Sequence, residues 1–253
     1  MRRFAWAVMM LLVLPAYSFA LQPLATDDAG TMGMAKFQFE VSSEFDWDKA
    51  NGVRTNQQQL GFTLTAGVLD SLDLVVGVPL RWQQQDGGID NGGLADMSLA
   101  LKWRLLELGP LSMAVKPAIT IPTGDYNKGL GASRTSYGAT LISTVEFKPV
   151  AVHANLGYTK FTYTDTNRAA GREDQVSLSL AGVVSVSPKL QLVAEVGTAS
   201  YSSYSDKLWP GFVTAGASYA LSDKLSLSLG GRFGLTSTAN DAALLAGVTF
   251  AFP

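Results

Sequence analysis

Apolar and polar residues alternate along most of this chain, in segments of about ten positions separated by turn-forming or polar residues. One such segment contains Leu225, Leu227 and Leu229, with Ser226 and Ser228 between them. Because successive side chains of a β-strand point to opposite faces, the leucines share one face and the serines share the other. Many strands with one apolar and one polar face are typical of a transmembrane β-barrel, which has a lipid-facing exterior and a polar lumen.

The breaks between these segments alternate between short turns and longer polar stretches. Short turns occur near Ser71, Gly109, Pro149, Pro188 and Asp223. The longer stretches cover residues 46–56, 83–93, 122–135, 162–173, 201–209 and 236–241. Outer-membrane barrels have this asymmetry, because their periplasmic turns are tight and their extracellular loops are longer. A soluble β-sandwich, the main alternative fold, has no reason to keep it.

The segments predict about twelve strands in a single up-and-down antiparallel meander. Their predicted starts are Phe37, Leu60, Leu72, Ala95, Leu111, Tyr137, Val150, Val176, Leu190, Phe212, Leu225 and Ala243. An even number of strands puts both termini of the chain on the periplasmic side. The predicted fold is therefore all-β, one transmembrane barrel with short periplasmic turns and longer extracellular loops.

The parity of the apolar residues assigns each side chain to lipid or to the lumen. In the third strand Leu74, Val76 and Val78 share the lipid face, so Asp73 and Arg81 face inward. The same rule predicts a set of lumen-lining residues that would set selectivity. They are Glu40, Asp73, Arg81, Asp96, Lys102, Arg104, Lys116, Glu146, His153, Glu195 and Arg232.

Charges of both signs occur among these inward residues. We expect Asp96 to neutralise Lys102 or Arg104 across the lumen, and the mixed signs to give weak charge selectivity. A barrel of about twelve strands has a lumen between those of filled eight-stranded barrels and wide sixteen-stranded porins. We therefore expect passive passage of a small-molecule solute. A structural or interaction barrel with a blocked lumen is the alternative.

The beginning of the chain has the features of a secretory signal peptide. Met1, Arg2 and Arg3 form a basic start, residues 4–14 are mostly apolar, and residues 18–20 match the usual cleavage spacing. We predict a cleaved signal at residues 1–20, a periplasmic segment or lumen plug at 21–35, and the barrel at 36–253. The absence of cysteine excludes disulfides and a lipoprotein anchor, and together with the secretory leader this fits the cell outer membrane of a Gram-negative bacterium. A net charge of −2 argues against a nucleic-acid partner.

Two polar motifs outside the strands are candidate functional elements. The first consists of Thr26, Asp27 and Asp28. It is expected to form a turn before the first strand or a plug in the lumen, and it lacks the spaced oxygen ligands that a hard metal cation needs. The second consists of Pro122, Thr123, Gly124 and Asp125. It is expected to form a turn, or a constriction that folds back into the lumen.

Two stretches carry a more specific resemblance. The first is ATDDAGT at residues 25–31, followed by KFQFE at 36–40, and the second is IPTGD at 121–125, followed by Gly129 and Gly131. In order and spacing these motifs resemble the bacterial MetA-pathway phenol-degradation family over nearly the whole mature chain. The resemblance implies an outer-membrane, transporter-like barrel. An aromatic or hydrophobic solute is implied by the resemblance alone.

The last segment and the apolar exterior imply two partners. Residues 244–252, which end in the aromatic Phe252, resemble the signal by which the outer-membrane assembly machinery recognises barrel precursors. Outer-membrane lipid is expected around the apolar face of the strands.

Catalytic and cofactor motifs are weak in this sequence. The only histidine is His153, and Asn155 follows on the same strand face. Outer-membrane phospholipases are similar in using a histidine with a serine two residues away, but Ala151 and Asn155 occupy those positions here. No nucleotide-binding or zinc-protease motif occurs. We therefore expect no enzyme and no cofactor, with a lipid-modifying enzyme as the second alternative.

Overall fold

The computed structural model describes residues 22–50, 52–162, 173–200 and 209–253. Within them the chain forms thirteen strands and one turn of 3-10 helix, Tyr126–Lys128. The strands are β1 Phe37–Ala50, β2 Val53–Leu69, β3 Leu72–Gln85, β4 Ile89–Leu94, β5 Met97–Leu108, β6 Leu111–Ile121, β7 Ser136–Phe147, β8 Val150–Lys160, β9 Asp174–Ser185, β10 Leu190–Ala199, β11 Gly211–Ser222, β12 Leu225–Gly234 and β13 Ala242–Phe252. Among the described residues, no helix has the length and apolar character needed to cross a membrane.

The strands form one closed antiparallel barrel. They pair in a meander, and β1 also pairs with β13, with Phe37 opposite Phe252. β4 and β5 both pair with β3, β4 with its last six residues and β5 with its first six. Together they act as one wall strand interrupted at Ala95 and Asp96. The predicted all-β meander is confirmed, as a twelve-strand barrel with one extra strand.

The connections separate into two ends of the barrel. The predicted short turns all lie at one end, together with the first residue of β1 and the last residue of β13, and we call it the turn end. The opposite end, which we call the loop end, carries the connections at residues 122–135 and 235–241. The predicted loops at 162–173 and 201–209 lie mostly outside the described residues. The predicted signal at 1–20 lies entirely outside them.

Two of the predicted loops are wrong, because they are mostly strand. β1 and β2 pair as far as Ala50 opposite Val53, and β3 and β4 pair as far as Gln85 opposite Ile89. β2 therefore begins at Val53, several residues before the predicted start at Leu60. Apolar alternation marks only the part of a strand that lipid covers, whereas the hydrogen-bonded ladder continues above the lipid with polar side chains on both faces.

The two faces of the barrel differ in the way that the parity predicts. Large apolar side chains such as Leu101, Trp103 and Leu229 are exposed on the outer face. Inward positions carry many polar side chains, and Thr144 and Thr214 are among the most buried of them. An apolar exterior around a polar interior suits a barrel surrounded by lipid.

Candidate functional site

Residues 22–31, which we call the N-terminal segment, run inside the barrel. Glu195 on β10 binds part of this segment. Its carboxylate accepts hydrogen bonds from the Ala25 amide at 3.0 Å and from the Thr26 amide and hydroxyl at 2.8 Å. Glu195 is only 3% exposed. These donors stabilise its charge, because a buried carboxylate without partners is strongly unfavourable.

Asp27 lies between two lysines of the barrel wall. Lys102 Nζ on β5 is 2.9 Å from Asp27 Oδ1, and Lys116 Nζ on β6 is 2.8 Å from Asp27 Oδ2. Asp28 lies 3.6 Å from Lys102. Burial opposes the ionisation of Asp27, but the two ammonium groups outweigh it and hold the pKa of this carboxyl well below its usual range. Ionic contacts therefore attach the segment to β5 and β6.

His153 lies beneath the N-terminal segment, near the turn end. The Thr144 hydroxyl accepts a hydrogen bond from the Ala29 amide at 2.9 Å, and its oxygen is 2.9 Å from His153 Nδ1. The histidine tautomer decides whether the hydroxyl donates to Nδ1 or accepts from it, and within the described residues Nε2 has no hydrogen-bond partner. The imidazole faces the lumen and the segment covers it. The imidazole therefore lies on the face of the wall opposite the exposed apolar side chains.

Two further contacts fix the middle of the segment. When its amide is oriented to satisfy the hydrogen bonds, Asn155 on β8 donates to the carbonyl of Asp27 and accepts from its amide. The Pro23 ring occupies a depression formed by glycines of β11 and β12. A Cβ added at Gly216 or Gly230 would lie 2.7 or 2.5 Å from Pro23 Cγ, so the close approach of the segment requires glycine there.

Two cavities lie in the lumen, and the segment borders one of them. The inner cavity, of about 350 Å³, separates the segment from β1, β2 and β3. The outer cavity, of about 440 Å³, lies toward the loop end. The inner wall includes Gln38, Glu40, Thr63, Thr65, Lys102 and Lys116. The outer wall includes Glu44, Gln57, Gln59, Arg81, Phe212 and Arg232.

The outer cavity contains one ion pair and one arginine that pairs with an amide. Arg232 forms a salt bridge with Glu44, and its guanidinium carbon lies 4.9 Å from the centre of the Phe212 ring. Arg81 donates to Gln59 Oε1 at 3.0 Å. The sequence analysis did not include Glu44 among the lumen-lining residues. Glu44 follows Glu40 by four positions on β1 and therefore lies on the same inward face. The sequence analysis missed Gln59 because β2 was predicted to begin later.

Asp96 differs from its predicted role. Its carboxylate accepts hydrogen bonds from the amides of Gly124 and Ala132 at 2.9 and 2.7 Å, and so holds the loop of residues 122–135 against the wall. The predicted pairing with Lys102 or Arg104 is wrong. Six or more residues of extended chain, about 20 Å, separate Asp96 from these side chains. Lys102 binds the N-terminal segment instead, and Arg104 pairs with a carboxylate of its own strand.

The motif at residues 122–125 forms a turn. The Thr123 hydroxyl donates to the Ala95 carbonyl at 2.9 Å and accepts from the Met97 amide at 3.0 Å. Asp125 caps the 3-10 helix. These residues line neither the inner nor the outer cavity. The geometry therefore favours the turn over the constriction.

The remaining predicted site residues lie near the turn end. Asp73 accepts a hydrogen bond from the Met32 amide at 3.1 Å and borders the inner cavity. Glu146 is exposed at the end of β7. In the part of the chain that the structure describes, no three His, Asp or Glu side chains are grouped to hold a metal ion.

Known structures share this fold. The COG4313 outer membrane channel from Pseudomonas putida F1 is 17% identical, with a TM-score of 0.72 over 89% of this chain and 98% of that chain. The NanC porin is 8% identical, with a TM-score of 0.60 over 84% and 98% of the two chains. The CymD monoaromatic hydrocarbon channel is 9% identical, with a TM-score of 0.50 over 86% and 88%.

A family profile identifies the sequence more specifically. The profile described as “Putative MetA-pathway of phenol degradation” matches residues 25–252, and no curated protein matches the chain. This range covers the N-terminal segment from Ala25 onward and nearly the whole barrel. The motifs at residues 25–31 and 121–125, which carry the resemblance in the sequence, lie within it. The chain belongs to this phenol-degradation family and has the fold of an outer-membrane channel.

Proposed function

We propose that this protein is a passive channel of the outer membrane for small polar molecules. The observation that carries the proposal is the pair of lumen cavities, one toward each end of the barrel. Hydrogen-bonding side chains of β1, β2 and β3 line both of them. Such side chains compensate a solute for the water that it loses in a narrow lumen.

Most charges near the cavities have a partner, which supports weak charge selectivity. Asp27 forms ion pairs with Lys102 and Lys116, and Glu44 forms one with Arg232. Paired charges produce only a small field at a distance, so a dissolved ion gains little on entry. Uncharged solutes are therefore the expected main cargo.

The family description supports aromatic solutes as candidate cargo. It refers to phenol degradation, and the similar CymD structure is a monoaromatic hydrocarbon channel. Cavities of about 350 and 440 Å³ are large enough for a single hydroxylated ring. Because their walls are polar, we propose that hydroxylated rings pass more readily than hydrocarbons.

The proposed orientation follows the rules for outer-membrane barrels. The turn end faces the periplasm, and the loop end faces the outside of the cell. Residues 1–20, which lie outside the described residues, act as the cleaved secretion signal. Lipid covers the outer face, and the assembly machinery recognises β13, where Leu244, Phe250 and Phe252 are exposed on that face.

A structural barrel with a blocked lumen is the second candidate, because the N-terminal segment occupies part of the lumen. Swelling of liposomes that contain the purified protein distinguishes the two. We expect swelling with small uncharged sugars, with rates that fall steeply as the sugar becomes larger. Swelling no faster than that of protein-free liposomes for every sugar would contradict the channel and favour the blocked barrel.

A further inference from the structure

The N-terminal segment is attached to one side of the barrel. Its middle, residues 23–29, bonds to inward side chains of β5, β6, β7, β8 and β10 and packs on the glycines of β11 and β12. On β9, Ser179 Oγ lies 2.8 Å from Thr26 Oγ1. These contacts follow the wall through eight consecutive strands. Across the lumen from them lie β1, β2 and β3, and the inner cavity separates these strands from the segment.

The inner face of β2 connects the two cavities. Gln57 and Gln59 line the outer cavity, and Thr63 and Thr65 line the inner cavity. All four side chains are uncharged and offer hydrogen-bonding groups. A polar solute moving along this strand would therefore exchange one set of hydrogen bonds for the next.

Small residues occupy this wall between the two cavities. Gly61 lies between Gln59 and Thr63 along the inner face of β2, and Ser42 is its partner on β1. On β3, Gly77 is opposite Thr63. The inner face of the wall at Gly61 and Gly77 is covered only by the hydroxyls of Ser42 and Ser98, so no large side chain of these strands stands between the two cavities.

We propose that the N-terminal segment is a fixed part of the channel lining, and that solutes pass beside it along β1, β2 and β3 without displacing it. This inference rests on the channel function proposed above. Release of the segment would break the contacts of Glu195, Lys102 and Thr144 at the same time. Elements that open as gates are held by fewer contacts and come from the least stable parts of a structure.

Glu40 sets the preference of this path among charged solutes. Its side chain lines the inner cavity, and among the described residues the nearby Lys102 and Lys116 form their ion pairs with Asp27. Four carboxylates face two ammonium groups around this cavity, namely those of Asp27, Asp28, Glu40 and Asp73 against Lys102 and Lys116. The excess negative charge favours uncharged or ammonium-bearing solutes over carboxylates.

A disulfide that locks the segment in place tests whether it must move. The chain has no cysteine, so Thr26→Cys with Ser179→Cys offers one possible pair. The two native oxygens are 2.8 Å apart, within reach of the S–S bond length of about 2.05 Å after a small adjustment. Swelling of liposomes containing this full-length variant is measured with a small sugar before and after reduction, beside the wild type and each single variant.

We expect equal swelling rates in the oxidised and the reduced double variant. A rate that falls to that of protein-free liposomes on oxidation and returns on reduction would overturn the inference, because the segment would then have to leave. That result would leave the proposed channel function intact. If the wild type itself produces no swelling, the channel function is contradicted, and this inference with it.

Thiol labelling locates the path independently of the disulfide. Thr63→Cys faces the inner cavity, and we expect a bulky thiol reagent to abolish its swelling activity. Ser226→Cys on β12 is the matched control, because Ser226 is inward and buried but lines neither cavity. Loss of swelling at Ser226→Cys but not at Thr63→Cys would put the path on the opposite side and contradict the inference.

A charge substitution tests the role assigned to Glu40. In Glu40→Gln we expect a weaker preference for an ammonium-bearing amino alcohol over a carboxylate of equal size, because one of the four carboxylates around the inner cavity loses its charge. Glu146→Gln, which removes a carboxylate from the exposed turn end, should keep the wild-type preference. An unchanged preference in Glu40→Gln would contradict the role assigned to Glu40 in the solute path.

Discussion

Asp27 is the residue with the most direct influence on the position of the N-terminal segment. Its carboxylate forms ion pairs with two lysines of different strands, and the Lys102 side chain is only 9% exposed. Loss of one partner from a buried ion pair costs about 3–5 kcal/mol, and partly exposed pairs lie below this range. The Asp27 side chain is 28% exposed, so a smaller value is expected here.

Substitution Asp27→Asn should therefore loosen the segment by about 2 kcal/mol, because Lys102 and Lys116 lose their shared counter-charge. A spin label at Leu24→Cys would report this as increased mobility. Asp28→Asn is the matched control, since Asp28 lies farther from Lys102, at 3.6 Å, and its hydrogen bond from the Gly30 amide stays within the segment. Equal label mobility in the wild type and in Asp27→Asn would contradict the anchoring role.

The pH dependence of this anchor follows from the lowered pKa of Asp27. Burial raises the pKa of Asp27, but the two ammonium groups lower it by more. In the bound segment Asp27 therefore stays ionised at pH values below the usual pKa of an aspartate. The stabilisation is complete above the pKa of a free aspartate, about 3.9, and decreases as the pH falls through the lower value in the folded protein. Label mobility should be equal at pH 7 and pH 5 and rise only in stronger acid, below about pH 3. A rise between pH 7 and pH 5 would show that another group controls the anchor.

Parity along single strands identified the inward anchors but could not identify what they bind. Lys102, Lys116 and Glu195 were all predicted to face the lumen. Their partners lie in the N-terminal segment, which has no periodic pattern that could reveal its path. Tertiary contacts determine that path, so the pairing of Asp27 with two lysines was not predictable from the sequence.

At the scale of elements, the alternating pattern predicted strands wherever lipid requires an apolar face. It located the turn end well, since short turns with proline, glycine or aspartate interrupt the pattern abruptly. It failed at the loop end of β2 and β3, where polar residues continue the strands. β4 was missed for the same reason, because its sequence IDNGGL has no apolar alternation.

The close contact between Pro23 and strand β12 can be tested by adding a methyl group to a glycine of that strand. Gly230→Ala should displace the N-terminal segment near Pro23, because the added Cβ would lie 2.5 Å from the Pro23 ring. Label mobility at Leu24→Cys should rise, and Pro23→Ala in the same chain should restore part of the order. Gly182→Ala is the control, since a Cβ there meets no atom within 4 Å. Equal effects of Gly230→Ala and Gly182→Ala would contradict the close packing.

At the scale of the whole molecule, closure of the barrel pairs each wall strand with two neighbours. β1 and β13 complete the circle over eleven residue pairs, so the wall has no open edge along this seam. Because all strands support one another, we expect the barrel to resist detergent until it is heated. Unboiled and boiled samples should therefore run at different apparent masses in gel electrophoresis. Identical mobility would contradict a closed barrel.

The central claim is that small polar solutes cross the membrane through the lumen. The most direct measurement compares the swelling of liposomes with the wild type and with Thr63→Cys, using a small uncharged sugar. We expect both proteins to give swelling, and a bulky thiol reagent to abolish it only in the variant, which would place the flux inside the barrel. Wild-type swelling no faster than that of protein-free liposomes would contradict the claim.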